Sequence, residues 1–98
     1  MPGLAYKARI ADMAIVTLRY WAAARDAAGT TEETITAETL ADALAAASAR
    51  AGQNTRFLAV LARSSFLIDG APVGIRARDA VILDDAAVIE VLPPFAGG

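Results

Sequence analysis

The first clear alternation of apolar and polar positions runs from Ala14 to Trp21 and is rich in β-branched and aromatic residues. Val16, Leu18 and Tyr20 share one face of this segment, and polar or mixed residues stand between them. A period of two with this composition is typical of a strand that is buried on one face. We therefore predict a strand whose Val16, Leu18 and Tyr20 side chains point into the core.

A short helical turn, a second strand and a main helix are predicted next. Ala22 to Ala28 favours a helical turn, and Gly29 stands where a left-handed C-terminal cap is expected. The segment Thr31 to Thr36 alternates charged and β-branched residues, and it lies close enough in sequence to pair antiparallel with the first strand.

The main helix is predicted from residue spacing. Apolar residues recur every three or four positions from Leu40 to Ala51, with Thr36 as the expected N-cap, Glu38 in the first turn and Gly52 as the stop signal. The apolar stripe is narrow and rich in alanine, so we expect the helix to pack closely on a sheet.

The second half of the chain predicts shorter elements. Asn54 or Thr55 can cap a short helix that ends near Arg63. Ser65–Ile68 has strand character and runs into an Asp-Gly turn. Val81–Leu83 and Val88–Leu92 are predicted to form a last pair of strands. Together the elements predict an α+β fold, with a mixed sheet of about four to five strands packed against one main helix plus short helices.

The chain has 98 residues, a length that allows one compact domain, and its formal net charge is −2. We expect residues 1–13 to be an N-terminal extension and residues 14–98 to form a single domain that ends in a tail, 93–98. No segment has the apolar length of a signal peptide or a membrane span, so a cytoplasmic protein without membrane contact is expected. The dispersed basic residues argue against nucleic-acid binding.

The chain contains no cysteine and no histidine. This excludes thiolate nucleophiles, zinc ribbons and imidazole acid–base catalysis from its own side chains. The acidic residues Asp79, Asp84 and Asp85 lack calcium-loop spacing and are better explained by turns, so no metal site and no bound cofactor is expected. Trp21 could serve as a ligand platform, but packing at the sheet edge or in a partner interface is the better interpretation. Arg76 and Arg78 are expected to solvate an edge of the sheet.

The carboxyl end of the chain combines rigidity, an apolar anchor and small residues. Pro93 and Pro94 favour extended backbone and prevent further sheet pairing, so they can direct the last four residues away from the domain. Phe95 could contribute about 1.5–3 kcal/mol if a partner buried it. Gly97 and Gly98 have no Cβ, so another protein's active site can approach this part of the chain closely.

Four segments of the chain resemble the small subunit of molybdopterin synthase. They are Val16 to Gly29, the helix start at Thr39-Leu40, Phe66 to Gly70, and Pro93 to Gly98, and the similarity covers Ala14 to Gly98. The proline pair followed by two residues and a diglycine is its most specific piece. One departure is Asp84-Asp85-Ala86, where that family commonly has an Asp-Gly-Asp type of turn; this affects the turn and leaves the tail unaffected.

The resemblance implies a β-grasp, ubiquitin-like sulfur carrier that does not itself catalyse. An adenylyltransferase related to ubiquitin-activating enzymes would use ATP to adenylate the Gly98 carboxylate, and a sulfurtransferase would supply the sulfur for a thiocarboxylate. Gly97 and Ala96 would thread into partner active sites. Phe95, Pro94, Pro93 and Leu92 would contact the partner, which for sulfur donation is the large catalytic subunit that builds the molybdopterin dithiolene.

Two alternatives remain open. A thiocarboxylate carrier of the same fold could serve thiamin thiazole synthesis, cysteine synthesis or protein conjugation. A β-grasp interaction module could bind a partner through its sheet without covalent chemistry. Deleting Gly98 separates them, because a carrier would lose its activity and a binding module would keep it.

Overall fold

A computed structural model of the chain describes residues 13–94. These residues form five strands, three α-helices and one short 3₁₀ helix. In chain order they are β1 Ala14–Tyr20, α1 Ala22–Ala28, β2 Glu32–Ala37, α2 Leu40–Arg50, α3 Thr55–Arg63, β3 Ser65–Ile68, β4 Ala71–Pro72, the 3₁₀ helix Arg78–Ala80, and β5 Val88–Leu92.

The strands form one mixed sheet in the order β2-β1-β5-β3-β4. The two strands most distant in sequence, β1 and β5, lie side by side and parallel, with Tyr20 opposite Val91, and the other neighbours are antiparallel. This confirms the α+β fold and the mixed sheet predicted from the sequence. Because β1 and β5 are parallel neighbours, their carboxyl ends lie at the same end of the sheet.

The predicted alternation of β1 is confirmed. Val16, Leu18 and Tyr20 are buried, whereas Ile15 is exposed. Within residues 13–94 the helices cover only the face to which the buried residues point, so the core is a single layer between sheet and helices. Its members include Leu40, Ala43, Leu44 and Ala47 of α2, Phe57, Val60 and Leu61 of α3, and Ile89 and Val91 of β5.

The helix ends follow local chemistry, with one correction. The Asn54 side chain accepts hydrogen bonds from the backbone N–H groups of Arg56 and Phe57, and Gly29 ends α1 with φ = 78°, both as predicted. The prediction of Thr36 as the N-cap of α2 is wrong. Thr39 is the cap, and its hydroxyl accepts from Asp42 N–H at 3.1 Å.

The displaced cap has a simple cause. β2 continues through Thr36 to Ala37, so Thr36 keeps strand geometry, opposite Ile15. Glu38 then lies before the helix, and Asp42 is the acidic residue in the first turn. A carboxylate near the positive end of the helix dipole is therefore present, but from a different residue.

The predicted pairing of Val81–Leu83 with β5 is also wrong. Val81 and Leu83 are buried and Ile82 is exposed, as in a strand, but the backbone of this segment bonds to the chain just before and at the start of α2. Leu83 N–H donates to Glu38 O, and Val81 O accepts from Leu40 N–H. The apolar alternation is thus satisfied by packing on α2, and β5 pairs with β1 and β3 instead.

The turn before β5 uses side-chain chemistry in place of a glycine. Asp85 Oδ1 accepts from Ile15 N–H at 2.8 Å, and Ala86 N–H donates to Ile15 O at 2.8 Å. Ala86 has φ = 69°, a left-handed conformation that an L-residue adopts at a cost. Of the three aspartates expected to shape turns, Asp85 does so here through its side chain. No group of acidic residues within 13–94 is arranged to hold a metal ion.

Candidate functional site

The candidate site is the end of the sheet at which the interior strands β1 and β5 both finish. β5 leaves the sheet at Leu92 and is followed by Pro93 and Pro94, while β1 leaves it at Tyr20 and is followed by Trp21. Trp21 N–H donates to Val91 O at 3.3 Å, which ties the two chain exits together. We call the surface formed by Trp21, Pro93, Pro94 and the adjoining helix residues the tail-exit surface.

The two prolines differ in their surroundings. Pro93 is buried and Pro94 is exposed. Proline lacks a backbone N–H, so the loss of sheet pairing after Leu92 leaves no unsatisfied donor at either position. The chain is thus packed against the domain at Pro93 and exposed at Pro94.

A groove of about 210 Å³ runs beside the prolines. It is lined by Pro93 and Pro94, by Ala23 of α1, and by Val60 and Arg63 of α3. The walls are mainly apolar, and Arg63 brings a cation to the rim. Among residues 13–94 the two ion pairs are Arg19–Glu32 and Arg50–Glu33, so Arg63 has no carboxylate partner there.

An exposed aromatic ring borders the same edge. Trp21 is 44% exposed, although it stands between the buried residues Tyr20 and Ala24. Tryptophan exposed beside an apolar groove is typical of protein interfaces. The structure thus places Trp21 at the surface, at the end of the interior strand β1, and its place in a partner interface stays a prediction.

Behind the tail-exit surface, a partly buried hydrogen-bond chain fixes the end of β1. The Tyr20 hydroxyl donates to Glu33 Oε2 at 2.6 Å, and Arg50 Nη1 donates to Glu33 Oε1 at 2.9 Å. Burial raises the pKa of the Tyr20 phenol well above its ordinary value, and the Glu33 carboxylate raises it further. Tyr20 therefore stays a neutral donor, and its role is to hold the edge in place.

The predicted site residues divide between described and undescribed parts of the chain. Leu92 is half-buried in β5, and Pro93 and Pro94 lie on the tail-exit surface. The remaining predicted residues, Phe95, Ala96, Gly97 and Gly98, lie outside the described residues. The groove residues Val60 and Arg63 were not singled out from the sequence. The amphipathic pattern of α3 was visible, but its closeness to Pro93 follows only from the sheet order.

The open face of the sheet continues from the tail-exit surface. Arg19, Glu90 and Leu67 lie side by side across β1, β5 and β3 on the face that none of the described helices covers. This row mixes both charges with an apolar side chain, which is suited to protein contact. No helix within residues 13–94 is long and apolar enough to cross a membrane.

Comparison with solved structures identifies the fold. The solution structure of the small archaeal modifier protein 1 (SAMP1) from Methanosarcina acetivorans matches with a TM-score of 0.72 and 25% identity, covering 88% of this chain and 98% of that one. The Haloferax volcanii HVO 2177 protein matches with a TM-score of 0.69 and 24% identity over 89% of each chain. The "Putative molybdopterin converting factor, subunit 1" from Pyrococcus furiosus matches with a TM-score of 0.67 and 23% identity, covering 83% of this chain and 98% of that one.

These likenesses confirm the β-grasp architecture expected from the sequence. The search of curated proteins returned no match. The model of the ThiS family matches residues 18–98, a span that includes the last three residues of β1, all of β5, the proline pair and the final diglycine. The chain therefore belongs to the ThiS family of ubiquitin-like proteins.

Proposed function

We propose that this protein is a sulfur carrier whose reactive group is the Gly98 carboxylate, and that it serves molybdopterin synthesis. The observation that carries the proposal is the direct passage from an interior strand, β5, through the anchored Pro93 to a tail that ends in diglycine. The match to the ThiS family, which extends to residue 98, supports a role for that tail.

The chemistry has to come from partners. A free carboxylate is a poor electrophile, so an adenylyltransferase would use ATP to form an acyl-adenylate on Gly98 with release of pyrophosphate. Hydrosulfide from a sulfur donor would then attack the acyl carbon and displace AMP, which leaves a thiocarboxylate. The chain has no cysteine that could carry sulfur as a thiol, and a thiocarboxylate on Gly98 needs none.

A carrier needs a slender tail that enters its partner and a surface beside the tail that the partner can bind. Gly97 and Ala96 are small enough to pass through a narrow channel in a partner, and Phe95 would anchor the tail at the channel entrance. The exposed Trp21 and the cationic Arg63 lie on the tail-exit surface and would be available to the same partner. We therefore propose that Leu92, Pro94, Phe95, Trp21 and Arg63 contact the large catalytic subunit, while Pro93 holds the tail on the domain.

The central experiment is intact-mass analysis of the full chain after incubation with ATP, a sulfur source and the cognate adenylyltransferase. The expected result is a population in which one oxygen is replaced by sulfur, localised to Gly98 by fragmentation. A chain with Gly98 deleted is the control and should gain no sulfur. A plain carboxylate on every molecule under these conditions would overturn the carrier proposal.

The pathway is tested separately by association with a pterin-converting large subunit. Phe95→Asp should weaken this association about tenfold or more, because burying a phenylalanine contributes about 1.5–3 kcal/mol. Met13→Asp is the matched control, since Met13 is exposed and lies at the opposite end of β1 from the tail. Equal affinity of the two variants would remove the tail-anchor argument.

Protein conjugation is the second candidate function, because a structural neighbour of this chain is named as a modifier protein. A conjugating protein would form an isopeptide bond between Gly98 and a lysine of a target. Digestion of cell extracts should then yield branched peptides that carry the Gly98 end on a lysine. Sulfur on Gly98 without such peptides would favour the carrier in biosynthesis.

A further inference from the structure

A second cavity lies on the far side of β3 from the tail. Its volume is about 230 Å³, and it occupies the place where β3 extends beyond the short edge strand β4. Phe66 and Val73 form part of its wall, Ser65 stands at its side, and Arg76 and Arg78 complete the lining. Two arginines therefore line one small concave site.

Both arginine side chains are held in place by main-chain carbonyls. Arg78 Nη2 donates to Leu61 O at 3.2 Å, and its guanidinium carbon lies 4.6 Å from the centre of the Phe66 ring. Arg76 Nε donates to Val73 O at 3.0 Å. This corrects the expectation that the two arginines only solvate an edge, because Arg78 is half-buried and anchored.

Most of the donor capacity of the two side chains is unused. Each guanidinium has five N–H groups, and the described protein atoms accept from one of them on each arginine. Neither arginine takes part in the two ion pairs found among residues 13–94. Asp79 follows Arg78 directly in sequence but forms no ion pair with it in that part of the chain. The pocket is thus a local concentration of positive charge in a protein of net charge −2.

We propose that this cavity is a binding site for a small oxyanion, held by Arg76 and Arg78. Guanidinium groups match the paired oxygens of phosphate and carboxylate, and charge-assisted hydrogen bonds of this kind are about twice as strong as neutral ones. The anchoring of both side chains lowers the entropy lost on binding. The volume is below the roughly 300–1,000 Å³ of pockets that hold drug-sized ligands, so it suits one phosphate or carboxylate group.

The site is independent of the proposed sulfur chemistry, because none of its lining residues belongs to the tail-exit surface. Its test is a titration of the full chain, labelled with ¹⁵N, with sodium phosphate and separately with sodium acetate at constant ionic strength. The expected result is a saturable shift of the amide signals of Ser65, Phe66 and Gly74. Saturation by phosphate supports a phosphoryl ligand, and saturation by acetate alone supports a carboxylate ligand.

Arginine variants decide whether the pocket is responsible. Arg76→Gln removes an exposed side chain and should weaken binding about tenfold or more, as expected for losing charge-assisted hydrogen bonds. Arg78→Gln should do the same, and Arg76→Gln keeps the test valid if loss of the Phe66 contact disturbs folding. Arg56→Gln, on the exposed face of α3, is the matched control and should change affinity less than twofold in this assay, by about 0.4 kcal/mol or less. Shifts that never saturate, or equal weakening by Arg56→Gln and Arg76→Gln, would overturn the site.

Discussion

Replacing Tyr20 by phenylalanine tests the hydrogen-bond chain that holds the end of β1. Tyr20 is 2% exposed, and its hydroxyl lies 2.6 Å from Glu33 Oε2. The substitution keeps the ring and its edge-to-face contact with Phe57, whose centre is 5.6 Å away, and removes only the hydroxyl. The change in unfolding free energy therefore reports the hydrogen bond.

The size of the effect follows from the state of the acceptor. A hydrogen bond to a charged group contributes about 1.5–3 kcal/mol. The side chain of Glu33 is 18% exposed and keeps its bond to Arg50, so water can replace part of what the hydroxyl provided. We expect Tyr20→Phe to lower the free energy of unfolding at pH 7 by about 1.5 kcal/mol, at the low end of that range.

The pKa shift of Tyr20 predicts how this difference depends on pH. Burial raises the pKa of Tyr20 in the folded protein, whereas in the unfolded chain the phenol ionises near its ordinary pKa of about 10. Below pH 10 the phenol is neutral in both states, so the stability difference is constant. Above pH 10 only the unfolded chain ionises, and the wild type loses about 1.4 kcal/mol per pH unit that the variant does not lose. The two proteins should become equally stable near pH 11.

The assay is urea unfolding of both proteins at pH 7, 9, 10 and 11, followed by far-ultraviolet circular dichroism. Comparing the proteins at each pH cancels the titration of every group that they share. A difference below about 0.5 kcal/mol at pH 7, the lower limit for an ordinary hydrogen bond, would contradict the assigned hydrogen bond. A difference that stays constant through pH 11 would contradict the raised pKa.

Three further substitutions test local features of the backbone by the same unfolding assay. Asn54→Ala removes the acceptor of two N–H groups at the start of α3 and should cost about 1 kcal/mol, and Asn54→Asp should keep most of that stability. Gly29→Ala should cost about 1 kcal/mol because its φ of 78° disfavours a Cβ, even though nothing lies within 4 Å of the added atom. Ala86→Gly should stabilise by about 0.5 kcal/mol, since relief of the left-handed strain exceeds the added flexibility of the unfolded chain. Destabilisation by Ala86→Gly would show that the Asp85 turn needs the alanine side chain.

Local signals in the sequence were reliable where the physics is local. The alternation of β1, the Asn54 cap and the Gly29 stop depend on residues a few positions apart, and each is found as predicted. The segment Val81–Leu83 shows the limit of such signals. Its alternating burial is that of a strand, but its partner is the start of α2, and choosing between partners requires the whole topology.

The candidate site shows the same division. The diglycine tail and its prolines were recognisable as a unit because they are contiguous in sequence. The groove beside them could not be recognised in the same way. Val60 and Arg63 are distant from Pro93 in sequence, and they lie beside it because β5 is placed between β1 and β3 in the sheet. The sequence did not predict the cavity lined by Arg76 and Arg78 for a similar reason. Arg78 donates to Leu61 O, and the two residues are 17 positions apart in the chain.

The place of β5 in the sheet explains why this strand is suited to carry a reactive tail. A strand at the sheet edge is held by hydrogen bonds on one side, whereas β5 is paired with β1 on one side and β3 on the other. A force on the tail would therefore have to break the hydrogen bonds of β5 to β1 and to β3 together. Pro93, the first residue after β5, is buried and resists the same force. A partner could draw residues beyond Pro94 into its active site without loosening the core. The cost of presenting the tail is thus confined to the few residues that the partner binds.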